Sequence, residues 1–251
     1  MGKPRYLITN LLDGATLTPS TEDTTYVAEH LCNGRPGKPF KYTASVSGEV
    51  VIDLGEAGSA TACAIVNHNI TSGATIKIQG NASDSWGDPS VDETMTRRAE
   101  NMYKCFTGGS YRYWRLSIAG NTGAAAIRIG ELLLGAYVEL DRGPLYPVRS
   151  KKSFDSADLS TVYGQKWSYE ISSRWEFEYR FRLHGDSEKA NMQALWDSAG
   201  GGRLPVLWIP DSAATDCYLV NLSGPFDPSN PGPYRYDLTL KLQELPAGKE
   251  G

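Results

Sequence analysis

A regular alternation of apolar and polar residues over residues 166–183 is the strongest pattern in the chain. Every even position in this stretch is polar or charged, whereas the odd positions carry Trp167, Tyr169, Ile171, Ser173, Trp175, Phe177, Tyr179, Phe181 and Leu183. Because successive side chains of a β-strand point to opposite faces, a period of two predicts a strand. We therefore expect one long strand, or two that join near Ser172 and Ser173, with one aromatic face and one charged face.

After this strand the apolar spacing becomes that of a helix. Residues at i, i+3, i+4 and i+7 are apolar, namely Met192, Leu195, Trp196 and Ala199. Asp186 or Ser187 is expected to cap the start of the helix, and the three glycines at 200–202 to end it. The pattern predicts a short amphipathic helix that covers a sheet.

Three further strands are predicted downstream, at 204–209, at 218–222 and in the alternating stretch 234–242. Residues 151–246 are thus expected to form an α+β domain of long antiparallel strands with one short helix. We expect its core to contain the large aromatic residues Trp175, Phe177, Tyr179, Phe181, Trp196 and Trp208.

The first half of the chain has shorter apolar runs, separated by turn residues. Alternation at 50–54 and apolar runs at 62–66 and 76–78 predict strand, turn, strand, turn, strand. Residues 19–41 and 79–97 are predicted to be long loops, which are frequent binding positions. The expected boundaries are a β-sandwich at 1–140, a linker at 141–150 and a mobile tail at 247–251.

Composition supports a mostly β fold. Of the 251 residues 40% are hydrophobic, and the chain has 26 glycines, 14 prolines and 14 tyrosines, which suit short strands joined by turns. The formal net charge is −4 without a basic cluster, so nucleic-acid recognition is not expected. The N-terminus has no apolar core for a signal peptide, and no apolar run approaches the roughly 20 residues needed to span a bilayer. We therefore expect synthesis in a cytoplasm and no membrane insertion.

Motifs in the first half resemble those of the galactose-binding-like (discoidin-like) β-sandwich family. In chain order they are the DLG of residues 53–55, the HN of 68–69, the YWRL of 113–116 and the GELLLG of 130–135. The resemblance implies a jelly-roll-like sandwich, with the strand at 111–118 on the sheet opposite to the strand that ends in DLG.

The order of elements in the second half resembles the C-terminal region of minor tail and distal tail proteins of tailed bacteriophages. The order is a long aromatic and charged strand, a short helix containing ALW, a glycine-rich turn, the strand PVLWIP and a closing strand. This resemblance implies a homo-oligomeric ring at a tail tip or baseplate, located in the virion. Its implied partners are other tail proteins, such as tail tube, hub and fibres, with the sandwich as a peripheral decoration.

Chemistry-bearing residues are sparse. The four cysteines are far apart, which favours reduced, mostly buried thiols over a metal site, although a disulfide such as Cys32 to Cys105 stays open. The three histidines lie in separate segments, and no catalytic motif is present, so we expect neither an enzyme nor a cofactor. His68 is expected to hold a turn by hydrogen bonding.

One loop offers a candidate carbohydrate site. Trp86 is surrounded by acidic residues, so its ring could stack on a sugar while Asn81, Asp84 and Asn69 hold hydroxyl groups. The competing interpretation is that Trp86 folds back to cover the edge of the sandwich. A calcium site is less favoured, since the acidic spacing is not that of an ion-binding loop.

Three functions are compatible with these patterns, and the least favoured is an accessory or catalytic domain of a glycoside hydrolase, which would need a pair of carboxylates in a cleft. The leading hypothesis is a structural protein of a phage tail tip, which forms a ring through its C-terminal domain and displays a sandwich that contacts host-surface glycan. The alternative is a free-standing carbohydrate-binding module or lectin.

Overall fold

The computed structural model describes residues 2–44, 46–123, 125–161 and 163–246. The predicted mobile tail at 247–251 lies outside these residues. In chain order the elements are β1 (Arg5–Leu7), β2 (Thr16–Pro19), a 3-10 helix (Ala28–Cys32), β3 (Phe40–Lys41), β4 (Gly48–His68), β5 (Thr75–Asn81), β6 (Val91–Met95), β7 (Met102–Ala119), β8 (Arg128–Gly135), β9 (Val138–Glu139), β10 (Leu145–Ser160), β11 (Lys166–His184), α1 (Asp186–Ser198), β12 (Val206–Ile209), β13 (Tyr218–Ser223), β14 (Ser229–Gly232) and β15 (Arg235–Glu244).

The predicted fold class is confirmed, because strands dominate, the strand pairs are antiparallel, and α1 is the one α-helix in the described residues. The chain divides into two compact units. Unit 1 holds the residues up to Leu140 together with Leu207–Tyr218, and unit 2 holds Asp141–Val206 and the residues from Leu219 onward. The sequence pattern did not indicate that unit 1 includes a segment from the second half.

Unit 1 is organised around β4, a strand of 21 residues. Its sheet has the order β3-β8-β4-β7-β5-β6, and β2 pairs with β4. The register of β4 against β7 shifts between Asp53 and Gly58, and again between Ala60 and Ala62. The stretch predicted as two strands and a turn is therefore one strand with two irregularities. One buried core joins both halves of it, with Ile52 and Trp114 in the same cluster as Ile65 and Leu134.

One expectation about this sheet is wrong. The resemblance placed the strand at 111–118 on the sheet opposite to the DLG strand, whereas Tyr113 pairs directly with Asp53 and Leu116 with Val50. Both strands lie in one sheet, because an antiparallel ladder along β4 satisfies the backbone groups of both. This pairing places the polar residues of the two strands side by side on one face.

The side chain of Asn10 connects the N-terminal segment to β8. Its amide donates to the carbonyl of Leu132, and its Oδ1 accepts from the backbone N–H groups of Leu12 and Leu134. Asn10→Ala would leave these groups without their partner, so we expect unfolding free energy to fall by about 2–4 kcal/mol. Urea denaturation measures this. Asn33→Ala, which removes one exposed hydrogen bond to Arg35, should cost well under half as much, and equal losses would contradict the prediction.

Unit 2 is a sheet of long strands with the helix packed on it. β11 pairs with β10 on one side and with β15 on the other, and β15 pairs in turn with β13. β14 also pairs with β15. The predicted strands at 166–183 and 234–242 are confirmed, whereas residues 145–150 of the predicted linker belong to β10. The backbone of the linker region is used in strand pairing.

The helix prediction is correct except at its N-terminus. α1 starts at Asp186, but its N-cap residue is Gly185, and no side chain caps it. Asp186 instead accepts a hydrogen bond from the hydroxyl of Tyr236. The helix ends before Gly200, Gly201 and Gly202, which all have positive φ, as the predicted glycine-rich end requires.

The predicted core of unit 2 is confirmed in part. Phe177, Tyr179 and Phe181 are buried, and Met192 and Leu195 of α1 are buried as well. Trp175 and Trp196 are only partly buried. Trp208 is fully buried, but it belongs to unit 1, where it pairs with Tyr6 of β1. At the helix the buried side chains are Met192, Leu195 and Ala199, and Trp196 lies at the margin of that face.

A register shift in β11 changes which face its aromatic residues occupy. Asp155 pairs with Ser172, but Ser156 pairs with Glu170, so Ile171 is an extra residue in β11. Before the shift Trp175 lies opposite Lys152, and after it Trp167 lies opposite Leu159. Opposed residues share a face, and even and odd positions of β10 lie on opposite faces. The predicted single aromatic face is therefore wrong, because Trp167 and Tyr169 lie on the other side of the sheet.

Candidate functional site

The loop between β5 and β6 holds Trp86 through polar contacts. The indole N–H donates to Asp84 Oδ1 at 2.7 Å. The guanidinium carbon of Arg115, on β7, lies 4.8 Å from the centre of the Trp86 ring, a cation–π contact. Trp86 is partly exposed, so it both covers the sheet, as the competing interpretation predicted, and presents indole surface to solvent.

Asn81 closes the same loop. Its Nδ2 donates to the carbonyl of Ser85 at 2.7 Å, and its Oδ1 accepts from the backbone N–H of Ala82 and the hydroxyl of Ser90. The structure thus brings Asn81, Asp84 and Trp86 together. Asn81 is engaged in shaping the loop, which leaves Asp84 and the indole as the groups that face solvent.

Asn69, the fourth predicted site residue, lies elsewhere. Its side chain donates to the carbonyl of Ala126 and accepts from the N–H of Arg128. This is the end of the sheet at which β5 begins, whereas Asn81 is the last residue of β5. Seven residues of a strand extend roughly 20 Å, so one small ligand cannot bridge Asn69 and Trp86. The sequence placed Asn69 in a turn, but it did not indicate at which end of the sheet that turn lies.

The solvent side of this sheet, termed the outer face, is a polar surface crossing five strands. Its side chains form three rows, and neighbours within a row are residues paired across β2, β4, β7, β5 and β6. They are Thr16, Asp53, Tyr113 and Asn81 in one row, Thr18, Val51, Arg115, Gln79 and Asp92 in the next, and Glu49, Ser117, Lys77 and Thr94 in the third.

Charges on the outer face are paired. Arg112 forms two hydrogen bonds of 2.7 and 2.8 Å to Asp53, and these bonds lower the pKa of Asp53 to about 2. Arg115 bonds Gln79 and Glu49, and Lys77 lies 2.8 Å from Asp92. The face therefore carries many polar groups without a net charge excess.

A buried carboxyl group fastens the loop at 19–41. Glu131 of β8 is 3% exposed, its Oε1 accepts from the N–H of Gly34, and its Oε2 has no hydrogen-bond partner among the described residues. Burial raises the pKa of Glu131 to about 8, with a smaller contribution from Asp13. At neutral pH the folded protein thus holds a mostly protonated Glu131. A charged residue directly before the apolar run 132–134 was the sequence signal for this group.

His68 holds a turn, as predicted. Its Nδ1 accepts from the N–H of Ile70, and its Nε2 lies 3.0 Å from the carbonyl of Glu100. Burial lowers the pKa of His68 to about 4. The imidazole is therefore neutral at physiological pH, and both ring nitrogens are used in structure.

Unit 2 carries a second candidate site, at the end of the hairpin formed by β10 and β11. β11 pairs with β15 only from Glu176 onward, whereas its pairing with β10 continues to Lys166. Residues 154–171, described apart from Val162, form a two-stranded ribbon that we term the arm. Five of its large apolar side chains are between 52% and 66% exposed, namely Phe154, Leu159, Trp167, Tyr169 and Ile171.

The register shift at Ile171 determines the surface of the arm. Leu159, Trp167, Tyr169 and Ala157 share one face through the pairs Leu159 with Trp167 and Ala157 with Tyr169. In the rest of the sheet the corresponding face is polar, with Glu178 opposite Lys241 and Arg149 opposite Glu178. The arm therefore presents an apolar face where the remainder of that sheet face is charged.

Some kinds of site are absent from the described residues. No group of three or more His, Cys, Asp or Glu side chains is arranged to hold a metal ion in the described part of the chain. None of the four cysteines, all of which lie in the described residues, forms a disulfide, so the Cys32–Cys105 pair is not formed. Among those same residues no helix is long and apolar enough to cross a membrane.

Comparison with known proteins gives matches only to solved structures. No family model matches the chain, and no curated protein matches its sequence. Chitosan-binding module 1 of a chitosanase/glucanase from Paenibacillus sp. IK-5 is 17% identical, with a TM-score of 0.42, and the match covers 50% of this chain and 98% of that one. CpGH89CBM32-5 from Clostridium perfringens, in complex with GalNAc-β-1,3-galactose, is 9% identical, with a TM-score of 0.43 and coverage of 51% and 100%.

The lectin domain of lectinolysin complexed with Lewis B antigen is also similar, at 12% identity, a TM-score of 0.41 and coverage of 51% and 96%. These proteins are carbohydrate-binding modules and a lectin domain. Identities below 20% and TM-scores near 0.4 describe a general likeness over half of the chain.

Proposed function

We propose that this chain is a structural protein that assembles with further copies of itself through the arm of unit 2. The observation that carries this proposal is the exposure of Leu159, Trp167 and Tyr169 on one face of the arm. Soluble proteins rarely expose a contiguous group of large apolar side chains unless a partner covers it. Aromatic residues are enriched in the buried centres of protein interfaces.

The two-stranded form of the arm supports the same proposal. An isolated hairpin is marginally stable in water, and it gains stability when a third strand or another surface packs on it. On the N-terminal side of Glu176, β11 pairs with β10 and with no third strand among the described residues. The outer edge of β10 has no neighbour there either. A partner that covers the apolar face supplies the missing packing.

The finer proposal is a protein of a bacteriophage tail tip or baseplate. Its support is the order of elements in the second half, which resembles that of minor and distal tail proteins. In that setting copies form a ring through unit 2, and unit 1 is carried as a peripheral sandwich beside other tail proteins. The virion is then its location.

The mass in solution tests this function. Light scattering at several protein concentrations, followed by negative-stain imaging, should find closed particles of three or six copies of the 27.4 kDa chain. Association should strengthen with concentration and persist at high salt, since the contact is apolar. A single-chain mass at every concentration would contradict the proposal.

Carbohydrate binding by unit 1 is the second candidate function, either within such an assembly or as a free-standing lectin. The observation that favours it is the loop in which a partly exposed Trp86 stands beside the exposed carboxylate of Asp84. An aromatic surface next to hydrogen-bonding groups suits a ligand that has both C–H and hydroxyl faces. Retention on immobilised glycans measures this activity, and it does not depend on oligomeric state.

A further inference from the structure

We propose that the outer face of unit 1 is a binding surface for neutral polysaccharide, with Trp86 and Tyr113 as its aromatic contacts. This inference rests on the second function proposed above, and it names the ligand class and the surface. Tyr113 was not among the site residues that the sequence predicted. It enters because the register places it between Asp53 and Asn81, in the row nearest the Trp86 loop.

The shape of the surface suits a chain more than a small molecule. Five adjacent strands at a spacing of about 4.8 Å give a surface roughly 19 Å across. The backbone groups of its central strands are paired within the sheet, so only side chains are available to a ligand. Thr16 and Thr18 are exposed at one side and Trp86 is partly exposed at the other, which spreads possible contacts over several sugar units.

The charge of the surface defines the ligand class. Three cations, Lys77, Arg112 and Arg115, each contact a carboxylate there, and Asp84 beside Trp86 adds a further carboxylate. An anionic ligand would have to displace a carboxylate from its partner. A neutral polyhydroxylated ligand can instead share the hydrogen-bonding capacity that these groups retain at the solvent side.

Both aromatic rings are held in place before a ligand arrives. The guanidinium carbon of Arg112 lies 4.9 Å from the centre of the Tyr113 ring, and Arg112 is itself fixed by Asp53. Trp86 is fixed by Asp84 and Arg115. Because little side-chain freedom remains to be lost, binding at these rings has a low ordering cost.

The surface does not have the character of a protein interface. None of the large apolar side chains that are exposed in the described residues lies on the outer face. Interfaces between proteins bury apolar centres, whereas Trp86 and Tyr113 are only partly exposed here and stand among polar side chains. Sugar rings, in contrast, combine weakly apolar C–H faces with many hydroxyl groups.

Native gels that contain a soluble polysaccharide test the proposal. Hydroxyethylcellulose and galactomannan serve as neutral probes, and polygalacturonate as an anionic one. The wild-type protein should be retarded by at least one neutral probe and not by polygalacturonate. Trp86→Ala should weaken that retardation about 10-fold in apparent affinity, as loss of an aromatic contact does.

Two further variants separate binding from folding. Tyr137→Ala is a matched control, because the Tyr137 ring also has an arginine stacked on it, Arg5 at 4.6 Å, but is not a member of the outer face. Thr18→Arg adds bulk and charge to the face at an exposed position, so it should reduce retardation while the circular dichroism spectrum and melting temperature stay unchanged.

The outcomes are distinguishable. If the wild type binds a neutral probe and folded Trp86→Ala and Thr18→Arg bind equally well, the surface is wrong while carbohydrate binding stands. If polygalacturonate alone retards the protein, the ligand class is wrong. If no probe across neutral and anionic polysaccharides retards the wild type, both the inference and the second proposed function are overturned.

Discussion

If copies of the chain associate through the arm as proposed, replacing Trp167 and Tyr169 together by serine is expected to leave single chains at micromolar concentration. Burying a large apolar side chain contributes about 1.5–3 kcal/mol, so removing two from each contact weakens association by about 3–6 kcal/mol. At 1.4 kcal/mol per factor of ten, the dissociation constant rises roughly 10²- to 10⁴-fold. Light scattering measures the loss of mass directly.

The same variant should fold as the wild type does. Both residues are more than half exposed in the single chain, so within that chain their replacement removes little packing, and surface changes usually alter stability by less than about 0.5 kcal/mol. Tyr234→Ser is the matched control, since Tyr234 is an exposed tyrosine of unit 2 that lies outside the arm. An unchanged mass for the double variant would contradict a role for the arm in assembly.

Replacing Glu131 by glutamine is expected to remove an alkaline loss of stability. The pKa of Glu131 is raised in the folded protein, mainly by burial, from its ordinary 4.5 to about 8. Deprotonation therefore occurs more readily in the unfolded chain. The contribution of Glu131 to the stability of the wild type is therefore greatest below pH 4.5. It declines as the pH rises from there towards 8.

The size of this effect follows from linkage. Each unit of pKa difference corresponds to 1.36 kcal/mol, so the full decline amounts to about 4–5 kcal/mol by pH 9. Glutamine does not titrate, and its carbonyl can still accept from Gly34. Its amide would lie where Oε2 has no partner, which costs about 1–3 kcal/mol at every pH. We expect the variant to be less stable than the wild type near pH 5 and more stable near pH 9.

Chemical denaturation from pH 5 to pH 9 gives the crossing point of the two stability curves. Glu100→Gln provides a control, because Glu100 is an exposed carboxylate of the same unit. Its curve should run parallel to that of the wild type. Parallel curves for Glu131→Gln as well would mean that Glu131 is ionised in the folded protein at neutral pH.

Local pattern predicted the elements of unit 2 well. A period of two over residues 166–183 is typical of a strand with one buried and one exposed face. From Trp175 to His184 the strand has such faces. The pattern could not reveal the extra residue Ile171, because the spacing of apolar residues in sequence stays regular across it. Only pairing with β10 defines which face each aromatic residue occupies.

The candidate site in unit 1 was predictable as a loop but not as a surface. Trp86, Asn81 and Asp84 are close in sequence, so their proximity follows from the loop itself. Tyr113 joins them only through strand pairing, and Asn69 is removed from them by the length of β5. Contacts between distant segments depend on register, which short motifs do not encode.

The same limit applies to Glu131 and to Trp208. Glu131 lies in the GELLLG motif, but the approach of the Gly34 backbone to its carboxyl group is a long-range contact that the motif does not indicate. Trp208 lies in an apolar run whose sequence is equally compatible with either unit. Its place in unit 1 depends on pairing with β1, a strand of three residues with little pattern of its own.

The pairing of β1 with β12 has a genetic consequence. β1 lies between β9 and β12 in unit 1, and β12 is encoded more than 60 codons after residue 140. A gene fragment that stops at Leu140 would encode a sandwich lacking the strand that carries Trp208, and so leave one side of β1 unpaired. A gene fragment that encodes the whole of unit 1 therefore has to include both coding segments, together with the codons for the arm between them.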